Sequence, residues 1–462
     1  MTVTFKIIKY MIRIYAYILF ALLGHVDIIA ADCVVLDKWL RYTLTIDSVS
    51  RDGMKDTIVI VDYNNTYEWD GIYSDGIDEL VIPGTISINN KVYHTRIGRK
   101  AFADCKFFHD VRLADGVDRI DGYAFYGCSN MHSIYIPAST TVVAPSALRN
   151  CEALNIISVS KSNPVYGSCS GSNALVENGI LQNGCGSTII PEGKVVEIAH
   201  QAFMGCKALK SIIIPEGVRR IASEAFRGCS NLSDVILPQS LTEMSGQVFG
   251  HCTRLESLTI PKNVKLIVSN PVTWCPSIKY LHVEKGNAKY HSNNQNDAII
   301  ETAKHSMIAA CKTVTINRDI QRLDALCLAG QPIVNVFIPK WVKHISSNAL
   351  AYCPIIATIE VDKRNPYYDS RHECNAIIDT TKDILIAGCY NTSIPNDVTI
   401  IGMYAFAGRT LPESFDIPAS IKLIEYDAFR MVNGLKHIKW GISKGNVHIE
   451  DKAFEDCPDL NL

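Results

Sequence analysis

Residues 202–215, Ala-Phe-Met-Gly-Cys-Lys-Ala-Leu-Lys-Ser-Ile-Ile-Ile-Pro, decide the fold, because residues 225–238, Ala-Phe-Arg-Gly-Cys-Ser-Asn-Leu-Ser-Asp-Val-Ile-Leu-Pro, repeat them 23 positions later. The same frame stands at Ala124-Phe125-Tyr126-Gly127-Cys128 with Ile134-Tyr135-Ile136-Pro137. A fixed period of this size marks a solenoid, in which one repeat is too small to bury its own apolar face and stacks on the next. Alternation in Ile212-Ile213-Ile214 reads as a strand, with residues one and three before the proline inward and those two and four before it outward. Pro215 ends the strand because it has no N–H for the ladder. Phe203 and its equivalents then stack into an aromatic spine, and Gly205 supplies a positive φ.

Worked outward, the Phe position recurs at Phe102, Phe125, Leu148, Phe203, Phe226, Phe249, Val272, Leu328, Leu350, Phe406, Phe429 and Phe454. Three longer gaps carry inserts near 160–197, 284–322 and 362–400, and these are related to one another. Each places an Asn (Asn163, Asn287, Asn365), a Tyr (Tyr166, Tyr290, Tyr368) and an Ala (Ala174, Ala298, Ala376) at matching offsets, with a Cys (Cys185, Cys311, Cys389) later. They read as a hairpin followed by a further strand, such as Ile189-Ile190-Pro191 or Ser393-Ile394-Pro395. The expected fold is therefore a mostly β, curved solenoid with a parallel sheet, about fifteen coils of 23 residues and roughly 70 Å long at the 4.8 Å strand spacing.

Residues 1–31 read as a signal peptide: Lys6, Lys9 and Arg13 precede an apolar run from Ile14 to Leu23, and Ala30-Ala31 offer a cleavage site. That run is too short to span a bilayer, so no membrane span is expected after the signal is removed. Cys33 leaves lipidation open. Residues 32–96 read as an N-terminal β cap, with strands at Thr57–Val61 and Leu80–Pro83, and residues 97–462 as the solenoid with its inserts. Loss of Lys6, Lys9, Arg13 and Asp27 leaves 42 basic against 46 acidic side chains, too balanced for a nucleic-acid partner.

The chemistry-bearing residues give no reaction site. No Cys-x-x-Cys, His-Glu-x-x-His, Gly-x-Ser-x-Gly or phosphate-binding Gly-Lys-Ser/Thr occurs. Arg371-His372-Glu373 reads as a loop fragment, and the acidic cluster Asp70, Asp75, Asp78 and Glu79 lacks calcium-loop spacing. No catalytic residue, metal or cofactor is assigned. Nine of the sixteen cysteines, Cys105 to Cys457, sit three after the Phe position and read as a buried ladder of small side chains. The insert cysteines allow two bridges, Cys169 with Cys185 and Cys374 with Cys389, in similar places of two inserts. Outward strand positions carry apolar side chains that no core requires: Tyr135, Ile213, Ile236, Tyr280, His282 and Phe337. These form the candidate partner-binding surface.

The Ile-Gly-x-x-Ala-Phe-x-Gly-Cys phrase, nearly complete at Ile401-Gly402-Met403-Tyr404-Ala405-Phe406-Ala407-Gly408 with Arg409 for Cys, resembles the BspA-type leucine-rich repeats over about residues 80–462. Val272, Leu328 and Gln331 depart from the pattern. The resemblance implies a secreted or cell-surface bacterial protein that is not an enzyme and binds proteins or cell-surface glycans, often as an adhesin. The alternative is a structural surface-coat or self-associating protein without a dedicated ligand. Exposure of the outward row favours the first; its burial under the inserts favours the second.

Overall fold

The computed structural model describes residues 31–36, 41–46, 57–60, 77–88, 91–106, 108–293, 295, 297–441 and 444–461. The proposed signal segment, Asp70 and Asp75 fall outside these, and of Cys33 only the backbone is described. The chain is almost entirely β and coils as a parallel solenoid. Each coil contributes a long strand ending at the proline, a two-residue strand after it, and the Ala-Phe turn. Long strands pair in parallel and in register, as Ile212 with Val235 and Leu258 with Leu281. Short strands do the same on a second side, as Ile198 with Ile221 and Ile221 with Met244. Parallel ladder pairing already begins at Thr57–Ile60, which pairs with Lys91–Ile97, and for the long strands at Ile77–Ile82, which pairs with Phe108–Leu113. The preceding Ala31–Leu36 and Arg41–Ile46 form an antiparallel hairpin.

The third side is the turn ladder. Phe203 N–H donates to Ala225 O at 2.7 Å and Phe226 N–H to Val248 O at 2.8 Å. Between the two amides the rings stack, Phe203 on Phe226 at 4.8 Å and Phe226 on Phe249 at 5.3 Å, which is the expected spine. The cysteine ladder is buried as expected and has a further job. Cys229 Sγ donates to Phe203 O at 3.1 Å, Cys252 Sγ to Phe226 O at 3.2 Å and Cys275 Sγ to Phe249 O at 3.1 Å. Each thiol thus adds a second hydrogen bond to a carbonyl of the coil before it, one that already accepts the cysteine N–H of its own coil, as Phe203 O accepts Cys206 N–H at 3.0 Å.

The inserts contain the expected hairpins: Ala174–Glu177 with Ile180–Gly184, Ala298–Glu301 with Ser306–Ala310, and Ile377–Asp379 with Ile384–Ala387. They are walls between core blocks, buried along most of their length, with Gln182 and Ile386 partly exposed besides the tips. In the second, Ile299 and Ile308 face the block that precedes it, while Ala298, Ile300 and Met307 face the block that follows. The recurrent Asn and Tyr close the ladder in front of each wall. Asn365 Nδ2 donates to Pro339 O and Val342 O, and its Oδ1 accepts from Tyr367 and Tyr368 N–H. Tyr368 Oη then accepts Ile345 N–H at 2.9 Å; Tyr290 does the same for Ile267 and Tyr166 for Val143. The hydroxyl thereby stands in for the next short strand.

Two expectations are corrected. Ile189-Ile190 and Ser393-Ile394 are not strands: Ile189 N–H bonds Ser172 O and Ser393 N–H bonds Cys374 O, within the same insert and not to a neighbouring rung. Nor are the disulfides formed. Cys185 Sγ donates to Asn155 O and Asn173 O, and Cys389 Sγ to Ala357 O and Asn375 O. Cys169 lies six residues after Asn163 whereas Cys374 lies nine after Asn365, so the two positions are not equivalent.

Candidate recognition surface

The alternation that buries Ile212 and Ile214 must turn Ile213 outward, and it is 67% exposed. Its register partner Ile236 is 58% exposed. Tyr135, Tyr280 and Phe337 are likewise exposed and His282 half-buried. The inserts therefore do not cover the row, because their hairpins are consumed inside the core.

Not all six side chains are brought together. Ile213 and Ile236 are immediate neighbours, and Tyr280 and His282 share the strand Tyr280–Val283. Thr259, the register partner of His282, belongs to the strand Ser257–Ile260 between these pairs. Tyr135 pairs with Arg112 and Ser158, on the far side of the first insert, and Phe337 pairs with Glu360, beyond the second. Ile189 is exposed at 72% and was not among the expected residues. Its signal was present, two before Pro191, in the phrase that also marks Ile213.

A second exposed feature had no sequence warning. Where the spine residue becomes Val272 or Leu350, the position usually held by glycine carries an aromatic instead, whereas Leu328 keeps Gly330. Trp274 (φ 54°) and Tyr352 (φ 59°) hold left-handed backbone that bulky residues adopt at a cost of about 1–2 kcal/mol. Their half-buried rings run along the outside of the turns, His251 on Trp274 at 4.7 Å and Trp274 to Tyr352 at 5.3 Å. Arg227 stands 6.0 Å from the Trp274 ring, and its charge together with burial holds the His251 imidazole below its ordinary range. His251 and Trp274 are stacked nearly parallel, at 6°, and Tyr352 is tilted by 47° to the Trp274 ring.

No acid–base constellation converges in the described residues, and no group of three or more His, Cys, Asp or Glu is arranged to hold a metal ion there. Arg371 is a structural cation, within 3.0 Å of Asp369 and Asp383 and 3.2 Å of Asp397. The buried thiols are poor nucleophiles: burial pushes Cys206 and Cys275 up to about 12. No helix among the described residues is long and apolar enough to cross a membrane.

The family described as the BspA type leucine rich repeat region matches residues 84–183, 176–295, 295–371 and 387–461. No curated protein matches the chain by sequence. Among solved structures, a leucine rich cell surface protein from Faecalibacterium prausnitzii is 20% identical, with a TM-score of 0.46, covering 90% of this chain and 97% of its own. A leucine-rich repeat protein from Bacteroides ovatus is 19% identical, with a TM-score of 0.35, covering 94% and 93%. The pneumococcal vaccine antigen PcpA is 16% identical, with a TM-score of 0.34, covering 92% and 86%. At these identities the likeness is one of fold.

Proposed function

The chain belongs to the BspA-type leucine-rich-repeat family, and from that premise we propose that it is an exported, non-enzymatic binding protein that recognises a macromolecule through the outward face of its long strands. The observation that carries this reading is the neighbouring pair Ile213 and Ile236, both more than half exposed at positions where the fold accepts any side chain. An exposed apolar pair costs solubility and gains nothing for the core, so its use lies in contact with something else. Recognition proceeds by burying these side chains against the partner, with no bond chemistry. The hairpins, being internal walls, take no part beyond their tips. The basic, then apolar, then small-residue order of residues 1–31 supports export.

The test is a binding screen of residues 32–462 against extracellular-matrix proteins and cell-surface glycans. It runs beside a variant carrying Tyr135→Ser, Ile213→Ser, Ile236→Ser and Phe337→Ser. We expect saturable binding by the parent and loss of about tenfold or more in the variant at unchanged circular dichroism. Binding that the variant retains in full would remove the strand face from the reading. Absence of any binding would favour a self-associating coat.

A further inference from the structure

The third insert opens a second site of different chemistry on the same face. Because Ser393 N–H bonds back to Cys374 O, the segment Tyr390–Ile394 does not pair with the next long strand, Ser414–Ile417. The gap is a groove of about 480 Å³ running from Tyr390 across Ser414 and Asp416 to Lys439 and Trp440. That volume lies in the range of small-ligand sites, about 300–1,000 Å³, and is small beside a protein footprint.

One of its hydroxyls lacks a partner. In two other rungs the residue four before the strand-ending position bonds the side chain of the preceding rung. Ser133 Oγ donates to Asp110 Oδ1 at 2.5 Å, and Thr358 Oγ1 to Asn335 Oδ1 at 2.7 Å. Ser414 occupies the same position, but the rung before it is displaced by the insert. Its hydroxyl is shielded from water and has no hydrogen-bond partner in the protein. A shielded hydroxyl without a partner costs about 1–3 kcal/mol, which a ligand hydroxyl recovers.

The charge in the groove is balanced: Asp416 and Lys439 face each other at 3.8 Å, and no other acid or base lines it. Such a site does not select a phosphate or a carboxylate. Tyr390, 47% exposed, and the half-buried Trp440 add aromatic surface. Aromatic surface beside hydroxyl, carboxylate and ammonium groups, with no net charge, complements a molecule that has an apolar C–H face and a periphery of hydroxyls.

We infer that this groove binds a neutral saccharide unit, with Tyr390 supplying the stacking surface and Ser414, Asp416 and Lys439 bonding the ring hydroxyls. The inference goes beyond the Ile213–Ile236 surface and does not depend on it. The exit of the first insert carries the exposed Ile189 where the third carries Ser393, each two before a proline.

The experiment is a printed array of neutral and sialylated oligosaccharides probed with the labelled full chain, followed by calorimetric titration with the strongest neutral saccharide on the array. Tyr390→Ala is expected to weaken binding about tenfold or more and Ser414→Ala about threefold. Both variants should fold, since Tyr390 is exposed and the Ser414 hydroxyl bonds nothing. A double Ile213→Ser, Ile236→Ser variant is expected to bind saccharide like the parent, which separates this site from the strand-face reading. Retention of no saccharide, retention of sialylated saccharides only, or full affinity in both groove variants would overturn the inference.

Discussion

Two stretches of the solenoid with the same backbone use aromatic side chains in opposite places. From Phe203 to Phe249 the rings lie inside, fully shielded and stacked through the core. From Val272 to Leu350, across the second insert and into the middle block between the second and third inserts, the inner position is aliphatic and the aromatics Trp274 and Tyr352 ride outside the turns. Part of the turn ladder passes the inserts, since Trp274 N–H bonds Ala329 O and Tyr352 N–H bonds Ala407 O, while the spine-position amide of Val272 turns to Asn270 Oδ1. The difference teaches that the repeat specifies a hydrogen-bonded path, while the spine is one of two ways to fill the space around it. An inner ring gains burial. An outer ring gains stacking at the cost of left-handed strain.

The largest predicted effect follows from that asymmetry. Phe226→Ala leaves a cavity between two stacked rings and is expected to cost about 3–5 kcal/mol. Trp274→Gly loses a half-exposed ring but relieves the φ of 54°, so its net change is expected to stay within about 1 kcal/mol. Urea denaturation followed by circular dichroism compares the two. Equal losses would mean that the outer stack carries as much as the spine, and the contrast drawn above would fail.

A smaller effect separates the blocks at their ends. The middle block stops where Tyr368 Oη accepts Ile345 N–H, a buried bond that has no counterpart between Phe203 and Phe249. Tyr368→Phe keeps the ring and orphans that amide, at an expected cost of about 1–3 kcal/mol. Hydrogen exchange should show faster opening around His344–Ile345 with little change at Arg220–Ile221, which the next short strand already pairs. Uniform acceleration through both blocks would mean that the solenoid opens as one unit.

Much of this was legible in the residues, for a reason that varies by element. The Phe, Cys and Pro positions repeat because stacking coils repeat their environment, so a count along the chain recovers them. The Asn and Tyr of the inserts were visible as a recurrence, but their roles were not. Asn365 bonds carbonyls 23 and 26 residues earlier, a relation that exists only once coils are stacked. The thiol-to-carbonyl bonds were hidden likewise, since composition shows a small residue and not its donor. The bridges failed because spacing within an insert says little about which strand a cysteine faces. At the surface, the exposure of Ile213 and Ile236 followed from alternation alone. The groove by Ser414 did not, because it depends on where the strand before it is missing.

The smallest predicted effect uses the thiols. In the Phe-spined block, burial raises Cys229 and Cys252 well above the ordinary thiol value of 9.0, with neighbouring thiols adding to the shift. In the middle block Cys353 is also raised by burial, but the Arg409 guanidinium beside it works the other way. Arg409 is itself fully buried and has no carboxylate; it donates to Cys353 O at 2.7 Å and Gly388 O at 3.0 Å. A thiol whose pKa is raised by folding contributes stability that is complete below about pH 9 and is lost as pH climbs toward the folded value, about 12 for Cys275. Raising pH from 8 to 10 should therefore lower the urea midpoint of the parent, because the unfolded chain ionises thiols that the native coils keep neutral. Cys252→Ala removes one such group and should flatten the loss. Arg409→Met removes the one cation that favours the Cys353 thiolate and should steepen it, by under about 1 kcal/mol. If Arg409→Met flattened the pH dependence instead, the guanidinium would not be acting on Cys353. The polar residues that stand where other repeats have cysteine, Gln331 in this block and Arg409 beyond the third insert, would then serve only as longer arms reaching carbonyls 56 residues back across an insert, as Gln331 does to Cys275 O.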